Sequence, residues 1–187
     1  MEIEKLAIEG AWIGRSSVHL DERGSFREWF KSIDIRSAIG REFEVAQSNI
    51  SISHHGVLRG IHYSLAATGQ GKWVTCVSGS IWDVVVDIRP SSPTFKKWVG
   101  VPMSAESGEA IFIAEGLGHG FIALEDNSIV SYMLTSSYSP TDEFEINPLD
   151  SELGIEWPEI ERLMSKKDSL APTLAERLAE GKLPGIN

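Results

Sequence analysis

The sequence predicts a mainly β fold, an antiparallel jelly-roll sandwich or barrel, and three observations favour it. Most of the chain consists of short segments rich in β-branched and aromatic residues, separated by Gly, Asp, Ser and Pro. These segments follow one another without the regular helices that βαβ units need. There are about eight of them, a number that suits a jelly roll.

The candidate strands, in chain order, are VAQSNISIS, GVLRGIHYSL, KWVTCV, IWDVVVDIR, AIFIA, HGFIALED and SIVSYMLTSSY. KWVTCV and IWDVVVDIR flank Ser78-Gly79-Ser80, which predicts a hairpin between them. Asp83 and Asp87 share one face of IWDVVVDIR by the period of two. The other face, which we assign to the core, carries Trp82, Val84, Val86 and Ile88.

Helical signals are confined to a short stretch near DIRSAIG and to the C-terminus. There, Thr173 and Glu176 have the spacing of a capping box, and Gly181 ends the helix. We expect this helix to pack outside the barrel. No repeat or linker composition is visible, so we expect one domain over 1–187, with a core at about 20–170 and a helical extension at about 171–187.

Composition and charge exclude several classes of function. The chain has 187 residues, 27 acidic against 17 basic, and a formal charge of -10, so its field repels nucleic acid and anionic lipid. A single cysteine, Cys76, excludes an internal disulfide framework and a Cys-rich metal site, and favours a reducing cytoplasm. The start, MEIEKLAIEG, lacks the basic region of a secretory signal, and no apolar run is long enough to span a membrane.

Several polar residues fall on segments otherwise suited to strands. Alternation puts Gln47, Asn49 and Ser51 on one face, which is either a solvated sheet surface or the lining of a ligand cavity. Arg59 and His62 should point to opposite faces, but Gly60 between them permits a bulge that could turn both into one cavity. A surface arginine and a structural histidine are the alternatives.

Four further residues have both a structural and a functional interpretation. Lys72 follows TGQG at the start of a strand, where an ammonium can lie at a cavity mouth. His119 in GLGHGF is flanked by glycines that let the backbone approach a ligand. Tyr132 and Tyr138 share one parity in SIVSYMLTSSY, as core aromatics or as substrate-binding groups.

A metal site is disfavoured by the arrangement of the five histidines, which are His19, His54, His55, His62 and His119. None forms an H-x-H pair, and adjacent residues of a strand point in opposite directions, so His54 and His55 cannot chelate one ion together. We therefore expect no metal site.

Together these segments resemble the dTDP-4-dehydrorhamnose 3,5-epimerase family, metal-free enzymes of the cupin jelly-roll group. The motifs that carry the resemblance are DERGSFREWF (21–30), QSNIS, GVLRGIHY, QGKWV, SGSIWDVVVDIRPSSPTF, EGLGHGFIAL, SYMLTSSYSPTDE and SKKD (165–168). The chain is particularly similar to members from actinobacterial cell-wall and antibiotic-sugar pathways. Ser64, after GIHY, departs from the Gln common in the family, and this affects the expected substrate detail.

The resemblance implies that His62 removes a proton, that Asp168 pairs with it, that Tyr132 is the acid on the opposite face of the sugar, and that Lys72 lies near the C4 carbonyl oxygen. Contacts to the nucleotide-sugar are implied for Gln47, Asn49, Arg59, His119, Glu143 and Lys167. Arg23 and Glu28 match a segment that in the family reaches the neighbouring subunit's site, so a homodimer with exchanged N-terminal segments is expected.

The implied reaction is cofactor-independent epimerisation of a dTDP-4-keto-6-deoxyhexose at C3, C5 or both. A proton next to the C4 ketone requires an oriented base, a cation at the developing enolate oxygen and a donor on the other face. A single-centre epimerase remains an alternative within the class. A non-catalytic nucleotide-sugar-binding barrel and a metal-dependent cupin oxygenase are the alternatives outside it.

Overall fold

The computed structural model describes residues 1–185, which form short strands and three helices. The strands are β1 Glu2–Lys5, β2 Ala11–Arg15, β3 His19–Asp21, β4 Gly24–Phe26, β5 Gln47–Ser53, β6 Leu58–Ser64, β7 Lys72–Ser78, β8 Ser80–Asp87, β9 Trp98–Ser104, β10 Glu109–Ile113, β11 Leu117–Ala123, β12 Ser128–Leu134 and β13 Glu143–Glu145. The helices are α1 Ser32–Ile39, α2 Lys166–Ser169 and α3 Leu174–Ala179.

Two antiparallel sheets face each other. The first has six strands in the order β1-β2-β10-β7-β12-β5, and the second has five in the order β13-β6-β11-β8-β9. Strands β3 and β4 form a separate hairpin. The predicted mainly β, antiparallel jelly roll is confirmed, as two packed sheets that do not close into one continuous barrel.

Apolar side chains fill three layers, one between the sheets and one on each outer face. Val74 and Ile111 of the six-stranded sheet meet Val85 and Phe121 of the five-stranded sheet in the middle layer. Residues around α1 cover the outer face of the six-stranded sheet. The segment after β13 covers the outer face of the other sheet, where Leu174 of α3 is buried. The C-terminal helix therefore packs outside, as expected.

The predicted hairpin between β7 and β8 is wrong. β7 pairs with β10 and β12 in one sheet, whereas β8 pairs with β11 and β9 in the other. Gly79 makes the turn with φ +68°, and a Cβ there would lie 2.6 Å from Ser128 Oγ. This turn is therefore a tight corner that carries the chain from one sheet to the other, since a turn sequence does not specify which strands pair beyond it.

Strand β8 is buried on both faces. The face assigned to the core packs under the C-terminal segment, and Val85 on the opposite face lies between the sheets. Asp83 and Asp87 on that second face are also buried. Asp87 accepts hydrogen bonds from Arg89 and from the hydroxyls of the turn that follows β8.

The two predicted helices are confirmed, including the capping box of Thr173 and Glu176. The sequence did not predict the short helix α2. SIVSYMLTSSY forms a strand only as far as Leu134, so Tyr138 lies beyond β12, and its parity with Tyr132 has no structural meaning. The last two positions of the predicted extension, 186 and 187, lie outside the described residues. Within 1–185, none of the helices is long and apolar enough to cross a membrane.

Candidate active site

A cleft between the two sheets collects most of the predicted site residues. Its main cavity is about 300 Å³ in volume. The cavity is lined by Gln47, Asn49, Arg59, His62, Gln70, Lys72, Tyr132, Leu134, Tyr138, Glu143, Phe144, Ser165, Lys167 and Asp168. An adjoining cavity of about 160 Å³ shares four of these residues and adds Ser51, His119, Gly120 and Phe121.

His62 and Asp168 form a hydrogen-bonded pair in the cleft. His62 Nε2 lies 2.7 Å from Asp168 Oδ1, and the Asp168 side chain is only 6% exposed. Burial alone would raise the pKa of Asp168, but the His62 contact, the Ser165 hydroxyl and the charge of Lys167 outweigh it and lower that pKa. The carboxylate therefore stays ionised and can orient the imidazole and stabilise its protonated form.

The pair joins two segments that are distant in sequence. The segment that leads into α2 lies beside the start of β6, where Leu163 O accepts a hydrogen bond from Leu58 N at 2.9 Å. Ser165 then caps α2, its side chain accepting from the backbone N–H of Asp168 at 3.0 Å. This cap fixes the backbone from which Asp168 points at His62.

A bulge in β6 turns both Arg59 and His62 into the cleft. His62 is paired with His119 and Arg59 with Phe121, so β6 has one more residue than β11 between these pairs. The extra residue lies at Gly60, which has φ +124° and where a Cβ would be 2.6 Å from the Gly120 Cα. The predicted bulge is confirmed, and only glycine fits it.

Lys72 is a buried ammonium on the opposite sheet from His62. Its Nζ lies 3.4 Å from the carbonyl oxygen of His62. Burial lowers the pKa of Lys72, while the carboxylates of Glu143 and Asp83 raise it in part. A desolvated cation in this position can stabilise negative charge that develops on a bound oxygen.

Asp83 and His119 form a second histidine–carboxylate pair, and sequence reasoning missed Asp83. His119 Nε2 lies 2.8 Å from Asp83 Oδ2, and Asp83 is completely buried. Its Oδ1 has no hydrogen-bond partner among residues 1–185. The available signal was a carboxylate inside the apolar run IWDVVVDIR, because a buried charge needs a partner. Asp83 thus contacts His119 directly, and its negative charge also acts on Lys72.

The polar face of β5 lines the cleft, so the cavity interpretation of that face is favoured over a solvated surface. Gln47 Nε2 donates to Asn49 Oδ1 at 2.9 Å, and Gln47 Oε1 accepts from the backbone N–H of Tyr138 at 2.8 Å. Tyr132, on β12 beside β5, packs partly against the core and lines both cavities. These residues and Lys72 all belong to the six-stranded sheet or to the loop that follows it.

Glu143 and Lys167 lie at the rim of the cleft. Gln70, which sequence reasoning also missed, donates to Glu143 Oε1 at 3.0 Å and is itself buried. Lys167 Nζ lies 3.0 Å from Glu145 Oε2. Ser64, the position that departs from the family pattern, lines a different small cleft and does not line this one.

Arg23 and Glu28 are the two predicted residues that the structure does not bring to the cleft of their own chain. Arg23 lies in the turn of the β3–β4 hairpin, with a side chain that is 85% exposed and bonded to Asp21. The Glu28 side chain is exposed, with Lys31 at 3.9 Å. Residues 1–185 also contain no group of three or more His, Cys, Asp or Glu side chains arranged to hold a metal ion.

The amino-acid sequence is similar to those of known epimerases. A sequence profile of the dTDP-4-dehydrorhamnose 3,5-epimerase family matches residues 5–176. A dTDP-4-dehydro-6-deoxyglucose 3-epimerase from Streptomyces bikiniensis is 48% identical over 180 residues, covering 96% of this chain and 92% of that protein. A dTDP-4-dehydrorhamnose 3,5-epimerase from Mycolicibacterium smegmatis is 44% identical over 185 residues, covering 98% and 91%.

Solved structures show the same likeness. A 3′-monoepimerase from Streptomyces bikiniensis, in complex with dTDP-quinovose, superposes with a TM-score of 0.92 at 48% identity, covering 96% of this chain and 91% of that one. The cupin-like character of the jelly roll is thereby confirmed. With a profile match over most of its length and relatives well above 40% identity, the chain belongs to the dTDP-4-dehydrorhamnose 3,5-epimerase family.

Proposed function

We propose that this protein inverts C3 of a dTDP-4-keto-6-deoxyhexose, by removing a proton next to the C4 ketone and returning one to the opposite face. The observation that carries the proposal is the convergence of the His62–Asp168 pair, Lys72 and Tyr132 on one cleft. C3 is chosen because both relatives described above are named for inversion at that centre. Inversion at C5 as well is the alternative.

Proton removal is assigned to His62. A neutral imidazole that donates from Nε2 to Asp168 carries its lone pair on Nδ1, and this atom takes the proton. The electrons of the broken C–H bond then move into an enolate, whose negative oxygen is stabilised by Lys72. Asp168 stabilises the imidazolium that results.

The substrate carbon is inverted because the two proton-transfer groups lie on opposite sheets of the cleft. His62 is on β6 of the five-stranded sheet, and Tyr132 is on β12 of the six-stranded sheet. A sugar ring held between the sheets therefore presents one face to each group. We assign to Tyr132 the delivery of a proton to the face opposite His62.

The nucleotide part of the substrate carries two phosphates and needs basic groups. Arg59 and Lys167 supply two at the rim, and Arg23 of a second subunit is proposed as a third.

The hairpin that bears Arg23 exposes Leu20 and Phe26, which are 79% and 66% exposed. The edge strand β5 also presents an apolar outer face, with Ile50 and Ile52 exposed. We propose that these surfaces meet in a homodimer, in the cytosol, where the single free Cys76 needs no disulfide partner.

A mixture of two inactive variants tests this dimer. In a mixed dimer of an Arg23→Ala chain and a His62→Ala chain, one site lacks both side chains and the other retains both. We therefore expect activity to return when the two proteins are mixed and allowed to exchange subunits. Activity is measured before and after mixing, and exchange is followed with two different affinity tags. Mixed dimers without activity would place Arg23 in its own chain's site.

The reaction itself is tested by incubating the protein with dTDP-4-keto-6-deoxyglucose in deuterated water and locating deuterium by NMR. We expect deuterium at C3 of the inverted product, in the presence or absence of a chelator. Deuterium at both carbons identifies a 3,5-epimerase. A folded protein that binds dTDP but causes no exchange would instead be a binding barrel, and a chelator-sensitive reaction would contradict the metal-free mechanism.

A further inference from the structure

Two residues outside the cleft are arranged to control one of its basic side chains. Glu145, on β13, forms an ion pair with Lys167, whose Nζ lies 3.0 Å from Oε2, and its Oε1 accepts from Arg177 Nη2 at 3.3 Å. Lys167 lines the cleft, whereas Glu145 and Arg177 do not. The Lys167 side chain is 57% exposed, so Lys167 can leave Glu145 for a ligand in the cleft.

Arg177 holds this arrangement from the C-terminal helix. Its Nε donates to the carbonyl oxygen of Glu145 at 3.0 Å, its guanidinium lies 5.4 Å from the centre of the Phe144 ring, and its Nη1 is 3.0 Å from Glu180. The Arg177 side chain is almost entirely buried. Arg177 therefore neutralises Glu145 from the side away from the cleft and fixes its position.

We propose that Arg177 is a positioning residue for the anionic part of the substrate, acting through Glu145 on Lys167. With Arg177 in place, Glu145 shares its charge between two cations and releases Lys167 readily to a diphosphate. Without Arg177, Lys167 alone balances the charge of Glu145, so Glu145 holds Lys167 more tightly and competes with the incoming phosphates for it. The proposal rests on the proposed function, because it assumes that a nucleotide-sugar occupies the cleft.

The first test replaces Arg177 with methionine, which keeps an apolar stem over Phe144 but removes the charge. We expect KM and the Kd for dTDP to rise about fivefold, the size typical of one partly exposed charge pair, with kcat within about twofold of wild type. Calorimetric binding of dTDP and of uncharged thymidine separates the phosphate contribution from the rest. Thymidine affinity should not change.

The second test removes the anion as well. In the double variant Arg177→Met/Glu145→Gln, the carboxylate beside Lys167 is also gone, and only Glu180, whose side chain is 47% exposed, has lost its Arg177 contact, so dTDP affinity should return to near the wild-type value. A merely structural Arg177 would leave the defect in place, since the double variant still lacks the bond to the Glu145 carbonyl. Arg36 lies on α1 and forms an exposed ion pair with Glu42, so Arg36→Met is the matched control and should leave dTDP binding unchanged.

Glu145→Gln alone keeps the proposal testable if Arg177→Met does not fold. It frees Lys167, so dTDP should bind at least as tightly as to wild type, and weaker binding would overturn the proposal. Unchanged dTDP affinity in a folded Arg177→Met would also overturn it while leaving the proposed function intact. A wild-type protein that neither binds dTDP nor exchanges protons would refute the proposed function itself.

Discussion

Replacing His62 with alanine is expected to lower the rate of proton exchange by about 10² to 10⁴, the contribution typical of a general base. Asp168→Asn should cause a large loss too, because the imidazole then lacks the carboxylate that lies 2.7 Å away. If the two side chains act as one unit, as proposed, the double variant should be little slower than His62→Ala alone. The measurement is the rate of deuterium uptake from solvent at C3.

The matched control is His54→Ala. His54 is an exposed histidine with a carboxylate, Asp126, at 3.7 Å, but it lies outside the cleft. Its replacement should leave deuterium uptake at the wild-type rate. If the losses from His62→Ala and Asp168→Asn multiplied in the double variant, the two residues would act independently, and the assignment of a single base unit would be wrong.

Tyr132→Phe is expected to separate proton exchange from inversion. The variant keeps the ring that packs against the core but lacks the hydroxyl proposed to protonate the second face. His62 can still remove a proton and return a deuteron to the original face. The ratio of deuterated, uninverted substrate to inverted product should therefore rise strongly above the wild-type ratio, and NMR of the recovered sugars measures it.

Tyr63→Phe provides the control for this ratio. The Tyr63 hydroxyl donates to the carbonyl oxygen of Lys182 at 2.7 Å, away from the cleft, and the ring is fully buried. Its loss should cost stability of about 0.5 to 1.5 kcal/mol, the usual worth of one hydrogen bond, without changing the ratio. A Tyr132→Phe protein with the wild-type ratio and inversion rate would show that another group is the acid.

Local patterns predicted the fold class, seven of the strands and the helices α1 and α3, because alternation, turn residues and caps depend on neighbouring residues. The box formed by Thr173 and Glu176 and the bulge at Gly60 are of this kind. Local patterns did not predict β1–β4, β9, β13 or α2. The pairing of β7 and β8 was predicted wrongly. A glycine turn such as Gly79 serves equally for a hairpin and for a corner between sheets, and the partner strands that decide between them are distant in sequence.

Some site residues could be predicted from local sequence, and others could not. Arg59 and His62 could be linked from a single segment, and the resemblance to a family supplied the distant Asp168. Asp83 was missed because alternation placed it opposite the assigned core face, although that face is buried against the other sheet. Gln70 was missed because its contact with Glu143 spans 73 positions of the chain. Contacts of this length have no local signal.

The distance along the chain between His62 and Asp168 also has a consequence for how the protein acquires activity. Their hydrogen bond spans 106 positions, and the carboxylate comes from a segment that docks on β6 after both sheets have been synthesised. Chains are made from the N-terminus, so Asp168 is added only after every strand has been synthesised. A chain that ended before Ser165 would contain every strand described here and still lack the carboxylate that pairs with His62, the proposed base. We therefore expect catalytic activity to report the completion of folding, not the formation of the sheets.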